Sequence, residues 1–196
     1  MPRYRPVPVD GDRPGPARWA DGPWHNPPMG SWGATVSGQP CYGCGFDWTT
    51  ASGEARDMVA GLPPSYTALV ASATGAERRP DLAWSVAEYV CHVADNLRIW
   101  AERLMGIAGG GPPLVGGYDE TALAQARNYP SIPLAAALWS LGRSVDDWLD
   151  AVDRSDSSGM VLIHPDRGDQ TLVEVMVSNA HDGMHHRWDI ERSLVG

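Results

Sequence analysis

His181 and His185 stand four residues apart in the run His181-Asp182-Gly183-Met184-His185-His186-Arg187-Trp188-Asp189. On a helix this spacing puts both imidazoles on one face, about one turn apart. Two imidazoles so placed are a common grip for a divalent metal ion. A third ligand must come from another segment. His92, inside the helical stretch from Ser85 to Leu104, is the best-placed donor. The expected metal centre is therefore His92, His181 and His185. Bland readings stand beside it: a polar helix face for the pair, and a lone histidine hydrogen-bonded at the core edge for His92. His186 points about 100° away from His185 on a helix and is left outside the expected site. Asp95, one turn beyond His92, is the expected catalytic carboxylate, acting as a base or orienting a ligand ring. Asp182 and Asp189 either hold the paired histidines from behind or belong to a solvated helix face.

Three neutral imidazoles leave the charge of a divalent ion uncompensated and at least one coordination position open. An open site lowers the pKa of a bound water or thiol, and so makes a nucleophile at neutral pH. Zinc is the expected ion, with nickel, manganese and iron as alternatives.

The elements that must position these residues are helical. Ser85-Val86-Ala87-Glu88 is a capping box, followed by an apolar stripe of Val86, Tyr89, Val90, Val93, Leu97, Trp100 and Leu104. His92 lies on the flank of that stripe. Ser131 before Ile132-Pro133 reads as an N-cap, opening a stripe from Leu134 to Val152. Thr171-Leu172-Val173-Glu174 is a second capping box, opening the helix that bears His181 and His185, again on the flank of its stripe. A short helix after Ala51 and another from about Pro63 to Ala73 are separated by Pro63-Pro64. Gly106 to Gly117, with six glycines and two prolines, is a loop. A short helix is expected over Glu120 to Arg127. Val161-Leu162-Ile163-His164 reads as one short strand of a hairpin, with His164 at the surface.

Residues 1 to about 50 lack a helical or alternating period and are rich in Pro and Gly. Trp19, Trp24, Trp32 and Trp48 are too many large aromatics for a disordered tail. The expectation is an irregular strap on the main domain, with an aromatic lid over a ligand site as the functional rival. Cys41-Tyr42-Gly43-Cys44 has the spacing of a zinc knuckle or a redox motif. No second such motif exists, and His25 and Cys91 are the only donors left over. The expected form is a turn with two buried thiols packed on the helices, not an independent knuckle. A thiol approaching the histidine site is the sharper alternative.

Composition narrows the class. The 196 residues carry a formal charge of −9, and all 15 basic residues are Arg. That balance argues against nucleic acid and anionic membrane as partners. No apolar run approaches the ~20 residues of a membrane span. Met1-Pro2-Arg3-Tyr4-Arg5-Pro6 has no apolar signal core, and three cysteines make no disulfide framework. Both point to the cytoplasm. A small-molecule substrate is expected, and a homodimer is compatible.

Trp84-Ser85-x-x-Glu88-Tyr89-x-x-His92-Val93-x-Asp95, with the later His181-Asp182-x-x-His185-His186-x-Trp188-Asp189, resembles the DinB/YfiT-like superfamily of four-helix bundles. Pro40-Cys41-Tyr42-Gly43-Cys44-Gly45-Phe46-Asp47 is similar to the opening of its actinobacterial branch. The resemblance covers about residues 39 to 196. It implies an all-α antiparallel four-helix bundle over 51–196; the first forty residues of the irregular extension over 1–50 depart from the family in being longer and richer in Pro and Trp. It also implies a divalent metal on one histidine of the second helix and a pair on the fourth, which by position are His92, His181 and His185. Characterised members of that superfamily include thiol-dependent S-transferases and a mycothiol-dependent isomerase. The expected activity is therefore metal-dependent transfer of a mycothiol-like thiol, or attack by water, on a small electrophile. An isomerase, lyase or hydrolase without thiol, and a non-catalytic small-molecule-binding protein, are the alternatives.

Overall fold

A computed structural model describes residues 32–155 and 159–195. Trp19, Trp24, His25 and the proline-rich start of the expected strap lie outside these residues. The chain runs α1 (Trp32–Ser37), α2 (Ser52–Ala60), α3 (Leu62–Leu69), α4 (Val86–Ala108), α5 (Glu120–Ala126), a 3-10 turn (Tyr129–Ser131), α6 (Leu134–Arg154), β1 (Val161–His164), β2 (Gly168–Thr171) and α7 (Leu172–Leu194). Helices α4, α6 and α7 form three members of a four-helix bundle. The fourth is α2 and α3 together, split at Gly61 ahead of Pro63 and Pro64, which sit at the start of α3 where a missing N–H costs nothing.

Both capping boxes form. The Ser85 N–H donates to the Glu88 carboxylate at 2.8 Å, and the Thr171 N–H donates to Glu174 at 2.7 Å. Each box satisfies helix-end donors that would otherwise be orphaned. They fix where α4 and α7 begin, and hence the rotation of every later side chain. The start of α6 differs from expectation. Pro133 is its N-cap, because Ser131 is already used in the 3-10 turn, where its hydroxyl donates to the Asn128 carbonyl at 2.8 Å.

The core is one cluster in which Leu97, Leu104, Leu141, Trp148, Leu172 and Ile190 are fully buried. Two polar links lock α7 into it. The Trp148 indole N–H of α6 donates to Asn179 Oδ1 at 2.7 Å, and the Tyr66 hydroxyl of α3 donates to the Gly183 carbonyl at 2.7 Å. Gly183 permits this approach, since a Cβ there would stand 2.6 Å from Leu62 Cδ1.

β1 and β2 pair antiparallel as a short hairpin, with His164 opposite Gly168. Strand alternation turns Leu162 and His164 inward and leaves Val161 and Ile163 exposed. His164 is thus buried, against the expectation of a surface residue.

The buried Trp148–Asn179 bond gives the first prediction. Asn179→Ala orphans the indole N–H and costs about 1–3 kcal/mol. Urea unfolding followed by circular dichroism should show that loss with an unchanged slope.

Candidate metal centre and cleft

α7 presents two pairs of potential ligands at i,i+4, offset by one residue: His181 with His185, and Asp182 with His186. One residue of offset is a rotation of about 100°, so the pairs face different neighbours. Two separate groups of donors result, each with ligand atoms within 4.8 Å of one another. His92, Asp182 and His186 form one. Cys41, Cys44, His181 and His185 form the other.

In the first group, His92 Nε2 lies 3.6 Å and His186 Nε2 3.5 Å from Asp182 Oδ1. These separations are long for hydrogen bonds. They suit three donors placed around one ion at roughly 2.0–2.2 Å. Asp182 and His186 are held from behind by hydrogen bonds, and His92 by packing. Asn96 Nδ2 donates to Asp182 Oδ2 at 2.9 Å, and the Tyr118 hydroxyl donates to Asn96 Oδ1 at 3.1 Å. His186 Nδ1 lies 3.0 Å from Asp189 Oδ2. That contact fixes the tautomer which leaves Nε2 free as a ligand. His92 is buried, with its ring 4.7 Å from Trp84.

Electrostatics agrees. Burial opposes a charged His186, yet Asp182 and Asp189 push its pKa up from 6.5 to about 9. Burial likewise opposes the Asp182 carboxylate, but His186 and His92 hold it well below its usual value. Without an ion, a protonated His186 supplies the positive charge that faces the Asp182 and Asp189 carboxylates. A cation in the gap takes the place of that proton, because a ligating imidazole must be neutral.

The group lies in a cleft of about 380 Å3. The cleft is lined by Trp48, Trp100, Arg103 and Tyr118, with His164 and Arg167 from the hairpin region. Arg103 stacks 4.6 Å over the Trp100 ring, and Arg167 reaches Ser178 at 3.3 Å. Burial pushes His164 down to about 4, so it is neutral at physiological pH. Its Nδ1 accepts the Asp166 N–H at 3.2 Å, which leaves its proton on Nε2.

The structure does not assemble the sequence-based trio of His92, His181 and His185. His181 and His185 converge, but on the two cysteines; His92 meets His186, the histidine turned about 100° from His185. That rotation is real, and it carries His186 toward α4. Burial pushes His181 down to about 4, and its Nε2 is buried without a hydrogen-bond partner. Asp95, expected as the catalytic carboxylate, is also placed elsewhere. It accepts the Tyr129 hydroxyl at 2.6 Å and is paired with Arg127 and with Arg98 at 3.4 Å. It ties α4 to the segment before α6 and is not among the residues lining the cleft. Asp95→Ala should therefore cost about 1–3 kcal/mol by orphaning the buried Tyr129 hydroxyl, while metal content and turnover stay at the wild-type level. Loss of bound metal in a folded Asp95→Ala protein would contradict this placement.

Residues 47–190 match the family model of the DinB superfamily. Among solved structures, the chain is similar to YfiT from Bacillus subtilis, described as a probable metal-dependent hydrolase with an unusual four-helix bundle topology. That similarity has a TM-score of 0.65 at 18% identity and covers 72% of this chain and 85% of the other. No curated protein matches. With the matched region spanning most of the chain and all four bundle helices, this protein belongs to the DinB superfamily.

Proposed function

We propose that the chain is a metal-dependent enzyme whose divalent ion is held by His92, Asp182 and His186 at the cleft. The observation that carries this reading is the convergence of His92 Nε2, Asp182 Oδ1 and His186 Nε2 in an open cleft, each braced by its neighbours. Two imidazoles and one carboxylate leave coordination positions open and suit zinc, manganese or iron. When bound, the ion supplies a Lewis acid that makes a coordinated water or thiol nucleophilic at neutral pH.

The protein's own groups do the rest. Asp189 holds the proton on His186 Nδ1, and Asn96 keeps Asp182 turned toward the two imidazoles. His164 places a neutral N–H donor in the lining, suited to a carbonyl or similar acceptor on a substrate. Trp48 offers flat apolar surface, and Arg103 and Arg167 offer charge balanced by Asp166 and Glu120. A small electrophile with both an apolar and a polar part fits such a lining. A mycothiol-like thiol as the incoming nucleophile rests on the resemblance of the cysteine-bearing segment to the actinobacterial branch. The description of YfiT as a metal-dependent hydrolase favours water.

The test uses His186→Ala and Asp189→Asn in the full chain. His186→Ala should lose the cleft ion and fall to background turnover while circular dichroism stays that of a bundle. Asp189→Asn should weaken metal affinity or turnover by about 10–100-fold, as for other carboxylates behind a ligating histidine. Wild-type protein is assayed on activated esters and amides without thiol, and on electrophilic carbon compounds with a low-molecular-weight thiol. Turnover only with thiol assigns a transferase, and turnover in water alone assigns a hydrolase. A folded His186→Ala protein with full metal content would remove the reading.

A further inference from the structure

We infer that Cys41, Cys44, His181 and His185 form a second metal site, a structural zinc clasp that fastens the segment before α2 onto α7. Their four ligand atoms lie within 4.8 Å of one another. A tetrahedral zinc with two thiolates and two imidazoles has edges of about 3.3–3.8 Å between ligand atoms. Cys41 Sγ and His185 Nδ1, at 3.5 Å, already stand at such an edge. These two residues are 144 apart in sequence, so the site joins distant parts of the chain.

One further observation points to a ligand at the centre of this group, and two more show how the cysteine turn is brought to it. His181 Nε2 is buried and has no hydrogen-bond partner, an arrangement that costs free energy unless something else is bound. The cysteine turn lies directly on α7 because residue 43 is glycine. A Cβ there would stand 2.9 Å from His185 Cε1 and 3.0 Å from Trp188 Cζ3. The turn is also built to converge its two sulfurs. The Gly45 N–H donates to the Cys41 carbonyl at 2.9 Å, the Cys41 N–H donates to the Phe46 carbonyl at 2.8 Å, and Gly45 takes φ +75°, open to glycine.

The chemistry selects zinc. Two soft thiolates with two imidazoles in tetrahedral array fit zinc better than oxygen-preferring ions. Four protein ligands leave no open position, which makes the site structural. The His92 group, with three donors and an open cleft, is of the other kind. The described part of the segment it fastens brings little core of its own: among the described residues ahead of α2, Cys41 and Phe46 are the buried apolar ones. Yet this segment supplies Val36, Ser37 and Trp48 to the cleft wall, with the Trp48 ring 4.3 Å from His181. The clasp therefore holds one wall of the cleft in place.

The test is X-ray absorption on untagged full-length protein, expressed with zinc and purified under reducing conditions, together with metal analysis. Two zinc ions per chain are expected, with a sulfur shell at roughly 2.3 Å beside nitrogen at roughly 2.0–2.1 Å. Cys44→Ser should lower the stoichiometry from two to one and remove the sulfur shell. His92→Ala should also leave one zinc, now with the sulfur shell intact. Cobalt in place of zinc should give thiolate-to-cobalt absorption in the wild type and in His92→Ala, but not in Cys44→Ser. Should Cys44→Ser fail to fold, the sulfur shell of the wild type decides. Zinc-loaded wild type without sulfur ligands overturns the clasp, as does unchanged zinc content in folded Cys44→Ser or a Cys41–Cys44 disulfide in the reduced, metal-loaded preparation. One zinc per chain, bound through sulfur, upholds the clasp and removes the cleft ion instead.

Discussion

The fixed rotation of α7 is the constraint on which both donor groups depend. Its ligands come in two pairs one residue apart, so a turn of the helix by about 100° exchanges which pair faces which neighbour. Three features hold that rotation. The Thr171–Glu174 capping box sets the first turn, the Trp148–Asn179 bond ties its middle to α6, and the Tyr66 bond to the Gly183 carbonyl ties it to α3. Of these, the last two are buried, where a mispaired polar group costs most. Asp182 and His186 are thereby aimed at α4, and His181 and His185 at the cysteine turn.

Much of this was legible in the sequence. The capping boxes, the stripes of α4 and α6 and the hairpin strand each follow from local rules that the structure obeys. The helix break, by contrast, falls at Gly61, ahead of the two prolines, and the buried face of α7 runs through Leu172, Val175, Met176, Ala180 and Ile190 and leaves Val173 exposed. The approach of a thiol to the histidine pair, named as the sharper alternative for Cys41 and Cys44, is also what the structure shows for Cys41. What local rules could not decide was the partner of each pair. Spacing treats His181 with His185 and Asp182 with His186 as equals, and an all-histidine pair is the more conspicuous. With His181 and His185 given to His92, only His25 and Cys91 are left as donors for the cysteines. The available signal was the matching ligand count: a CxxC and an HxxxH together make four, leaving His92 to find the Asp182–His186 pair. Asp95 misled for a different reason. One helical turn from His92 brings it near in sequence, but its rotation turns it to Arg127 and Tyr129, and that tertiary pairing has no local signature.

Asp189 shows how closely the two groups are joined. Its Oδ2 lies 3.0 Å from His186 Nδ1 and 3.9 Å from His185 Nε2, with Arg192 at 3.5 Å from its other oxygen. One buried carboxylate thus stands behind a ligand of each group. Its negative charge favours cations in both, and the His185 and His186 rings, 5.7 Å apart and nearly perpendicular, lie on either side of it. In the carboxylate–histidine–metal arrangement, such a carboxylate sets ring orientation and raises ligand basicity. Here the shorter contact is to His186, the ligand proposed for the open cleft, where basicity would tune reactivity. The longer one is to His185, where the four donors of the proposed clasp would already define the geometry. The same residue can therefore bias the chemistry of one site while contributing little to the other.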